Sequence, residues 1–393
     1  MRVPMSEPDI TAAERAAVED VLLTPTLALG PRLTLFERKM AGFVGTRHGI
    51  GVSSGTAGLH LAMIAAGVDE GDLVLTTPFS FVASANCILY RRARPLFVDV
   101  EPNTLTIDAE QVVAKIEAHM RGGWLAGRLK AILPVHVFGQ PCDMDPILEV
   151  ARFYGLSVIE DACEAIGAAY RGRSVGTLGD AAVFAFYPNK QMTTGEGGML
   201  VTDDGEWDAL FRSLRNQGRD VFDGWLEHTR LGYNYRMSEL TAALGVAQVE
   251  RLDELLSRRA RVASWYRERL QRVPGIELPH PAPWTTRMSW FAYVIRLSDP
   301  GIRDALIREL DRRRVPARPY FPPIHLQPFY RQQFRYKRGD FPETEAAGDA
   351  CLALPFFGTM RPEQVDTVCG ALVESLAACY PRVGRRVEER VSA

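Results

Sequence analysis

The chain has 393 residues, 47% of them hydrophobic, enough to bury a large core and more than one domain in length. Its formal charge of -2 and pI near 6.4 leave no cationic surplus for a polyanion, so nucleic acid is not an expected partner, and no segment approaches the length of a membrane span. Cys87, Cys142, Cys163, Cys351, Cys369 and Cys379 show no paired spacing and read as free thiols of a reducing compartment. With an N-terminus that lacks an apolar signal core, this makes a cytoplasmic protein the expectation.

In chain order, helical spacing over residues 11–23 stops at Thr24-Pro25, and Gly30-Pro31 turns the chain into a second helix over 33–45. Short apolar runs then alternate with longer amphipathic ones. Strands are predicted over 49–52, 73–76, 95–98, 131–135, 157–160, 181–186 and 199–202, and helices over 57–67, 81–90, 109–120 and 144–154. Near-continuous apolar strands separated by helices predict an α/β fold with a mainly parallel sheet covered on both faces. After Asp204 the alternation stops. One long helix is expected over 238–271 as a connector, ended by Val273-Pro274-Gly275. A smaller α+β domain follows, with a strand over 290–297 and helices over 302–314, 342–352 and 362–375. The charged tail over 382–393 is expected to fray. The division is therefore 1–250 for a large domain and 251–393 for a small one, with the N-terminal helix a candidate to pack on the latter.

Three segments carry chemistry. Val52-Ser53-Ser54-Gly55-Thr56-Ala57-Gly58 joins a strand to a helix, where small residues let backbone amides and the helix dipole hold a phosphate, although Ser54 or Thr56 also reads as an ordinary N-cap. The strand over 157–160 delivers Asp161 to its carboxyl end, where ligands bind in α/β sheets. A carboxylate buried there needs a cation, such as a protonated ring nitrogen, and the competing reading is an N-cap for the next turn. Lys190 lies on a Thr/Gly-rich loop between two strands, in Phe186-Tyr187-Pro188-Asn189-Lys190. Desolvation there makes a Schiff-base nucleophile, and the plain alternative is a solvated loop lysine. Phe79 and Phe81, after the strand over 73–76, are either core or a stacking platform for an aromatic ligand. A phosphate cup, a carboxylate and a lysine on three strand ends together match the needs of pyridoxal phosphate (PLP).

The motifs Gly51-Val-Ser-Ser-Gly-Thr-Ala57, Pro78-Phe-Ser-Phe-Val-Ala-Ser-Ala-Asn86, Leu96-Phe-Val-Asp-Val100, Glu160-Asp161-Ala162, Phe186-Tyr-Pro-Asn-Lys190, Gly232-Tyr-Asn-Tyr-Arg-Met237 and Pro322-Pro-Ile-His-Leu-Gln327 occur in this order. In this the chain resembles the DegT/DnrJ-type sugar aminotransferases over nearly its whole length. The resemblance implies a fold-type I, aspartate-aminotransferase-like architecture with a seven-stranded sheet, PLP and a homodimer with shared sites. It implies Lys190 as the Schiff-base lysine, Asp161 as the pyridinium partner, Gly55 and Thr56 as the phosphate turn, and Phe81 as the ring-stacking residue. It places Glu164 near the ring hydroxyl, and Asn234 on the cofactor phosphate of the neighbouring subunit. Tyr187, Asn189, Arg236, Tyr320 and His325 are its candidate substrate contacts, His325 being equally readable as a turn residue between Pro323 and Pro328. One departure stands out. Many members have serine where this chain has Ala185, so a phosphate hydrogen bond worth about 1.5–3 kcal/mol is absent unless Ser54 or a water replaces it.

Relatives that dehydrate sugars have histidine in place of Lys190, so the resemblance implies amino transfer. Glutamate or glutamine is the expected donor. Glu164 with the Asn189-Lys190-Gln191 segment is most similar to the perosamine-synthase-like branch, which acts on a nucleotide-linked 4-keto-6-deoxy sugar. A keto-cyclitol acceptor, or a PLP-binding regulator without turnover, are the alternative readings.

Overall fold

The computed structural model describes residues 3–122, 128–220 and 227–379. The first part of the chain runs α1 (Ala12–Leu22), α2 (Pro31–Val44), β1 (His48–Val52), α3 (Gly55–Ala65), β2 (Leu73–Thr76), α4 (Ala83–Leu89), β3 (Arg94–Phe97), α5 (Ala109–Arg121) and β4 (Leu129–Ile132). It continues through α6 (Met144–Tyr154), β5 (Ser157–Asp161), β6 (Ala169–Tyr170), β7 (Arg173–Ser174), β8 (Ala181–Ala185), β9 (Gly198–Thr202) and α7 (Gly205–Arg215). All seven predicted strands join one sheet in the order β1-β9-β8-β5-β4-β2-β3. The five strands from β8 to β3 are parallel, whereas β9 runs antiparallel to both β8 and β1.

Successive residues of each strand feed opposite faces of this sheet, as the pleat requires. Ile132, Val158, Ala182, Phe184, Met199 and Val201 meet α2, α5 and α6 on one side. On the other, Ala131, Ile159, Ala181, Val183 and Leu200 meet α3 and α7. Burial on both sides is why these strands read as continuous apolar runs.

The single long helix expected over 238–271 is two helices, α8 (Glu239–Glu250) and α9 (Leu252–Leu270), broken at Arg251 with φ -115° and ψ 17°. The break separates two packing tasks. α8 lies against α1 and α2, and its Gly245 admits the Phe36 ring so closely that a Cβ there would sit 2.7 Å from it. Leu252, Leu255 and Leu256 of α9 belong to the same core as α2, but Val262, Tyr266 and Leu270 belong to the core of the second layer. The division expected at residue 250 therefore falls beside a helix that serves both cores. α1 packs on α8, while Val3, ahead of it, enters the second core.

The remainder comprises β10 (Ile276–Glu277), β11 (Thr285–Arg287), β12 (Tyr293–Leu297), α10 (Arg303–Arg312), β13 (Arg318–Pro319), α11 (Pro328–Phe334), α12 (Pro342–Ala350), β14 (Cys351–Leu354) and α13 (Pro362–Cys379). β10, β12, β14 and β13 form an antiparallel sheet, and α10 and α13 pack against each other beside it. The helix expected over 342–352 ends at Ala350, because Cys351-Leu352-Ala353-Leu354 pairs with strands on both sides and is fully buried. β11 instead joins β6 and β7 in a separate three-stranded sheet. The tail over 382–393 lies outside the described residues.

A carboxylate from afar fixes the start of α2. Gly30 has no side chain to cap it, and buried Glu239 accepts from the amides of Gly30 (3.0 Å), Arg32 (2.7 Å) and Leu33 (2.9 Å). Removing it strands several amides at a helix N-terminus. Glu239→Ala is expected to lower unfolding free energy by about 2–3 kcal/mol. A denaturant midpoint matching the parent protein would refute this.

Candidate active site

The carboxyl ends of β1, β2, β5 and β8 open onto one cavity of about 420 Å³. Its floor is made by close backbone approach. Ser54 caps α3 by accepting from the Ala57 amide (3.1 Å), which leaves its own hydroxyl proton free to donate into the cavity. A Cβ at Gly55 would lie 2.8 Å from Ala185 Cβ and 2.9 Å from Cys163 Sγ, and one at Gly198 would lie 2.7 Å from the Gly55 nitrogen. Glycine at both positions brings the N-terminus of α3 down onto the β8 and β9 ends. Gly55 and Thr56 thus line the cavity at a helix N-terminus, the setting that favours an anion. Ala185 lines it too, with only a methyl to offer.

Asp161 ends β5 and is 4% exposed. Its Oδ1 accepts from the Cys163 amide (3.2 Å) and its Oδ2 from the Ser84 hydroxyl (2.6 Å). Among the described residues it forms no ion pair, so its charge is met by hydrogen bonds alone and suits a cationic ligand. Its neighbour Glu160 anchors the same strand end. Glu160 accepts from the amides of Gly176, Leu178 and Gly179 and from His136 Nε2, whose Nδ1 is occupied by the Cys142 amide. Burial opposes the Glu160 charge, but the His136, Gly179 and Gly176 donors outweigh it and hold its carboxyl below the usual range.

Lys190 sits in a tight connection between β8 and β9. Its amide donates to Tyr187 O (2.9 Å), Phe186 exchanges bonds with Thr194 and Gly197, and the Thr193 amide is held by Gln248 on α8 (3.1 Å). The side chain is largely buried, with Nζ 3.4 Å from Glu164 Oε1 and 4.1 Å from the centre of the Phe291 ring. Glu164 also accepts from the Phe138 amide (2.9 Å). Burial pushes its carboxyl above the usual range, against the pull of the Lys190 ammonium and that amide. The lysine of the solvated-loop reading is therefore a partly desolvated amine facing two carboxylates, Glu164 and Asp161, across one cavity.

The two phenylalanines separate. Phe79 is fully buried against Phe138 and Phe321, whereas Phe81 is 61% exposed at the cavity wall. Tyr187 (53% exposed), Asn189 and Tyr320 also line the cavity, and Asn189 Oδ1 is buried without a hydrogen-bond partner. His325 does not line it. It is fully buried, with Nε2 3.0 Å from Glu345 Oε1, inside the 324–326 turn, because the flanking prolines fold the chain into the core. Of its two readings, this placement fits the turn residue between Pro323 and Pro328. Arg236 is also outside the cavity of its own chain, its guanidinium donating to Asn216 Oδ1 (3.1 Å). Asn234 is exposed in the same segment, and the rings of its sequence neighbours Tyr233 and Tyr235 stack on each other.

Ser84, Cys163, Phe291 and Phe321 line or support the cavity without having been singled out in the sequence. Phe291 and Phe321 come from the second layer of the fold, more than a hundred residues from Asp161, where no spacing rule reaches. Among the described residues no cluster of His, Cys, Asp and Glu has the grouping of a metal site, and no helix is long and apolar enough to cross a membrane.

The model of the DegT/DnrJ/EryC1/StrS aminotransferase family matches residues 8–373. The chain is 40% identical to GDP-perosamine synthase of Caulobacter vibrioides over 379 residues, covering 95% of this chain and 98% of that protein. It is 38% identical to the spore coat polysaccharide biosynthesis protein SpsC of Bacillus subtilis, covering 94% and 96%. Among solved structures, DesV of S. venezuelae in complex with a ketimine intermediate superposes with a TM-score of 0.86 at 34% identity, over 95% of this chain and 98% of that one.

Proposed function

Because the chain belongs to the DegT/DnrJ/EryC1/StrS aminotransferase family, we propose that it uses PLP to move an amino group from glutamate or glutamine to a nucleotide-linked keto sugar, a 4-keto-6-deoxyhexose. The observation that carries the reading is the meeting of Lys190, Asp161, Glu164 and the α3 N-terminus in one cavity. Full-length similarity to a GDP-perosamine synthase supports the sugar class.

The residues fit PLP. Among the described residues Asp161 has a buried carboxylate without a cation, matching a protonated ring nitrogen, and Gly55 and Gly198 let the α3 N-terminus pack tightly onto the β8 and β9 ends, at the cavity wall where a phosphate would sit. Ser54 keeps a free hydroxyl proton beside Ala185, and so supplies the donor that Ala185 lacks. Phe81 offers a ring face at the wall, and Glu164, beside Lys190, would meet the ring hydroxyl. When bound, the cofactor supplies the electron sink that lets the bond from carbon to hydrogen beside the donor nitrogen break.

The chain does the rest. Lys190 Nζ, in its neutral form, takes the proton leaving the donor α-carbon, and in the second half-reaction returns one to the sugar carbon that gains nitrogen. Glu164 keeps that amine within 3.4 Å, and the Phe291 ring limits its swing. Tyr187, Asn189 and Tyr320, which line the cavity, orient the sugar. Exposed Phe81, Tyr187 and Asn234 suit a homodimer in which Asn234 reaches the cofactor phosphate held by a second copy.

Incubation with glutamate and a panel of acceptors tests the reading. A nucleoside-diphosphate-linked 4-keto-6-deoxyhexose is expected to be converted to its amino sugar, seen by mass. Amination of a keto-inositol with none of the nucleotide-linked sugars would overturn it.

A further inference from the structure

We propose that Ser84 and Ser80 are positioning residues for the reaction, forming a directed hydroxyl relay from Ser80 through Ser84 to Asp161 that fixes this carboxylate for a protonated ring nitrogen. The proposal rests on the reading of the cavity as a PLP site.

The direction of the relay follows from proton counting. Ser84 Oγ lies 2.6 Å from Asp161 Oδ2 and 2.7 Å from Ser80 Oγ. An ionised carboxylate only accepts, so the one proton of Ser84 points to Asp161. The Ser84 oxygen must then accept, and the proton of Ser80 points to it. Both hydroxyls are buried, and both serines line the cavity. Each bond in such a chain polarises the next, and the terminal O–H···O⁻ bond is the strong, charge-assisted kind.

The setting makes this bond consequential. Among the described residues one backbone amide, that of Cys163, donates to the other Asp161 oxygen. With a donor on each oxygen, the carboxylate plane is fixed at two points. Burial, and after it the Asp161 charge, push the Cys163 thiol well above its ordinary range. Ser84 also ties Asp161 to the helix α4 that follows Phe81, so the two sides of the expected ring, its nitrogen partner and its stacking face, are set by one short segment.

A relay in series has a signature that a packing role lacks. Ser84→Ala is expected to weaken PLP binding by about tenfold or more and to lower kcat by a similar factor with donor KM little changed. The absorbance of the bound cofactor should shift in the same variant. Ser80→Ala should weaken binding a few-fold in the parent protein, yet add nothing to Ser84→Ala, because its effect passes through Ser84. PLP dissociation constants from absorbance titration of the apoprotein give this double-mutant cycle directly. Ser84→Ala binding PLP within twofold of the parent, or a Ser80→Ala effect that adds in full to that of Ser84→Ala, would overturn the relay. A parent protein without saturable PLP binding, or Asp161→Asn binding as the parent does, would remove the reading of the cavity and the relay with it.

Discussion

Lys190→Ala is expected to lose amino transfer by about 10,000-fold while remaining folded. Five lysines are present, Lys39, Lys115, Lys130, Lys190 and Lys337, and of these Lys190 lines the cavity with Asp161 and Glu164. Proton movement at the donor α-carbon needs a base placed within hydrogen-bond reach, and the other side chains nearest that place do not replace it. Glu164 is held on the Phe138 amide and its carboxyl is biased towards the protonated form by burial, while Tyr320 has its hydroxyl pushed up by burial and then by Glu164. The fold should tolerate the change. The lysine contributes one contact of 3.4 Å and a ring contact, and Glu164 can take up a proton when the ammonium is gone. Steady-state assays with glutamate as donor, alongside thermal melting, check both halves. Turnover within 100-fold of the parent would count against Lys190 as the base.

The second large effect is at Asp161. Asp161→Asn keeps the shape of the side chain but removes its charge, so a protonated ring nitrogen would lose its counter-ion inside the cavity. Removing one member of a buried charge pair costs about 3–5 kcal/mol, or roughly 150- to 5,000-fold in cofactor affinity and kcat combined. Without the cofactor the sign reverses. The carboxylate is then a buried charge without a cationic partner, and the amide should leave the apoprotein as stable as the parent or more so. Melting temperatures measured with and without PLP therefore should move in opposite directions, the stabilisation by PLP shrinking in the variant. Equal stabilisation of parent and variant by PLP would contradict the assignment.

Much of this was legible in the residues because of where burial falls. Seven strands were located since both faces of the sheet are covered, which leaves uninterrupted apolar runs. Their order was not legible, nor was the antiparallel β9, because register and neighbours depend on packing between distant segments. The helix expected over 342–352 runs two residues into β14 for a general reason. A short buried strand behind an Ala-rich helix has no period of its own. The break at Arg251 likewise has no Gly or Pro to announce it, and is set by the different cores that α8 and α9 enter.

At the cavity, the strand-end positions of Asp161 and Lys190 and the small residues at Gly55 were readable as local patterns. His325 was not, because the 322–328 motif looks the same whether its histidine faces a ligand or the core. In the fold its ring is enclosed by Glu345 and the Phe341 ring. The Ser84 bond to Asp161 spans 77 residues and could only be found once the sheet was assembled.

The central claim is that Lys190 holds PLP. Loading the protein with PLP, reducing it with borohydride to fix the cofactor to the amine that holds it, and mapping the labelled peptide by mass tests this most directly. The account predicts label on the peptide that carries Lys190, and its absence from Lys190→Ala. Label on Lys39, Lys115, Lys130 or Lys337 instead, or no label on a protein that aminates the sugar, would contradict it.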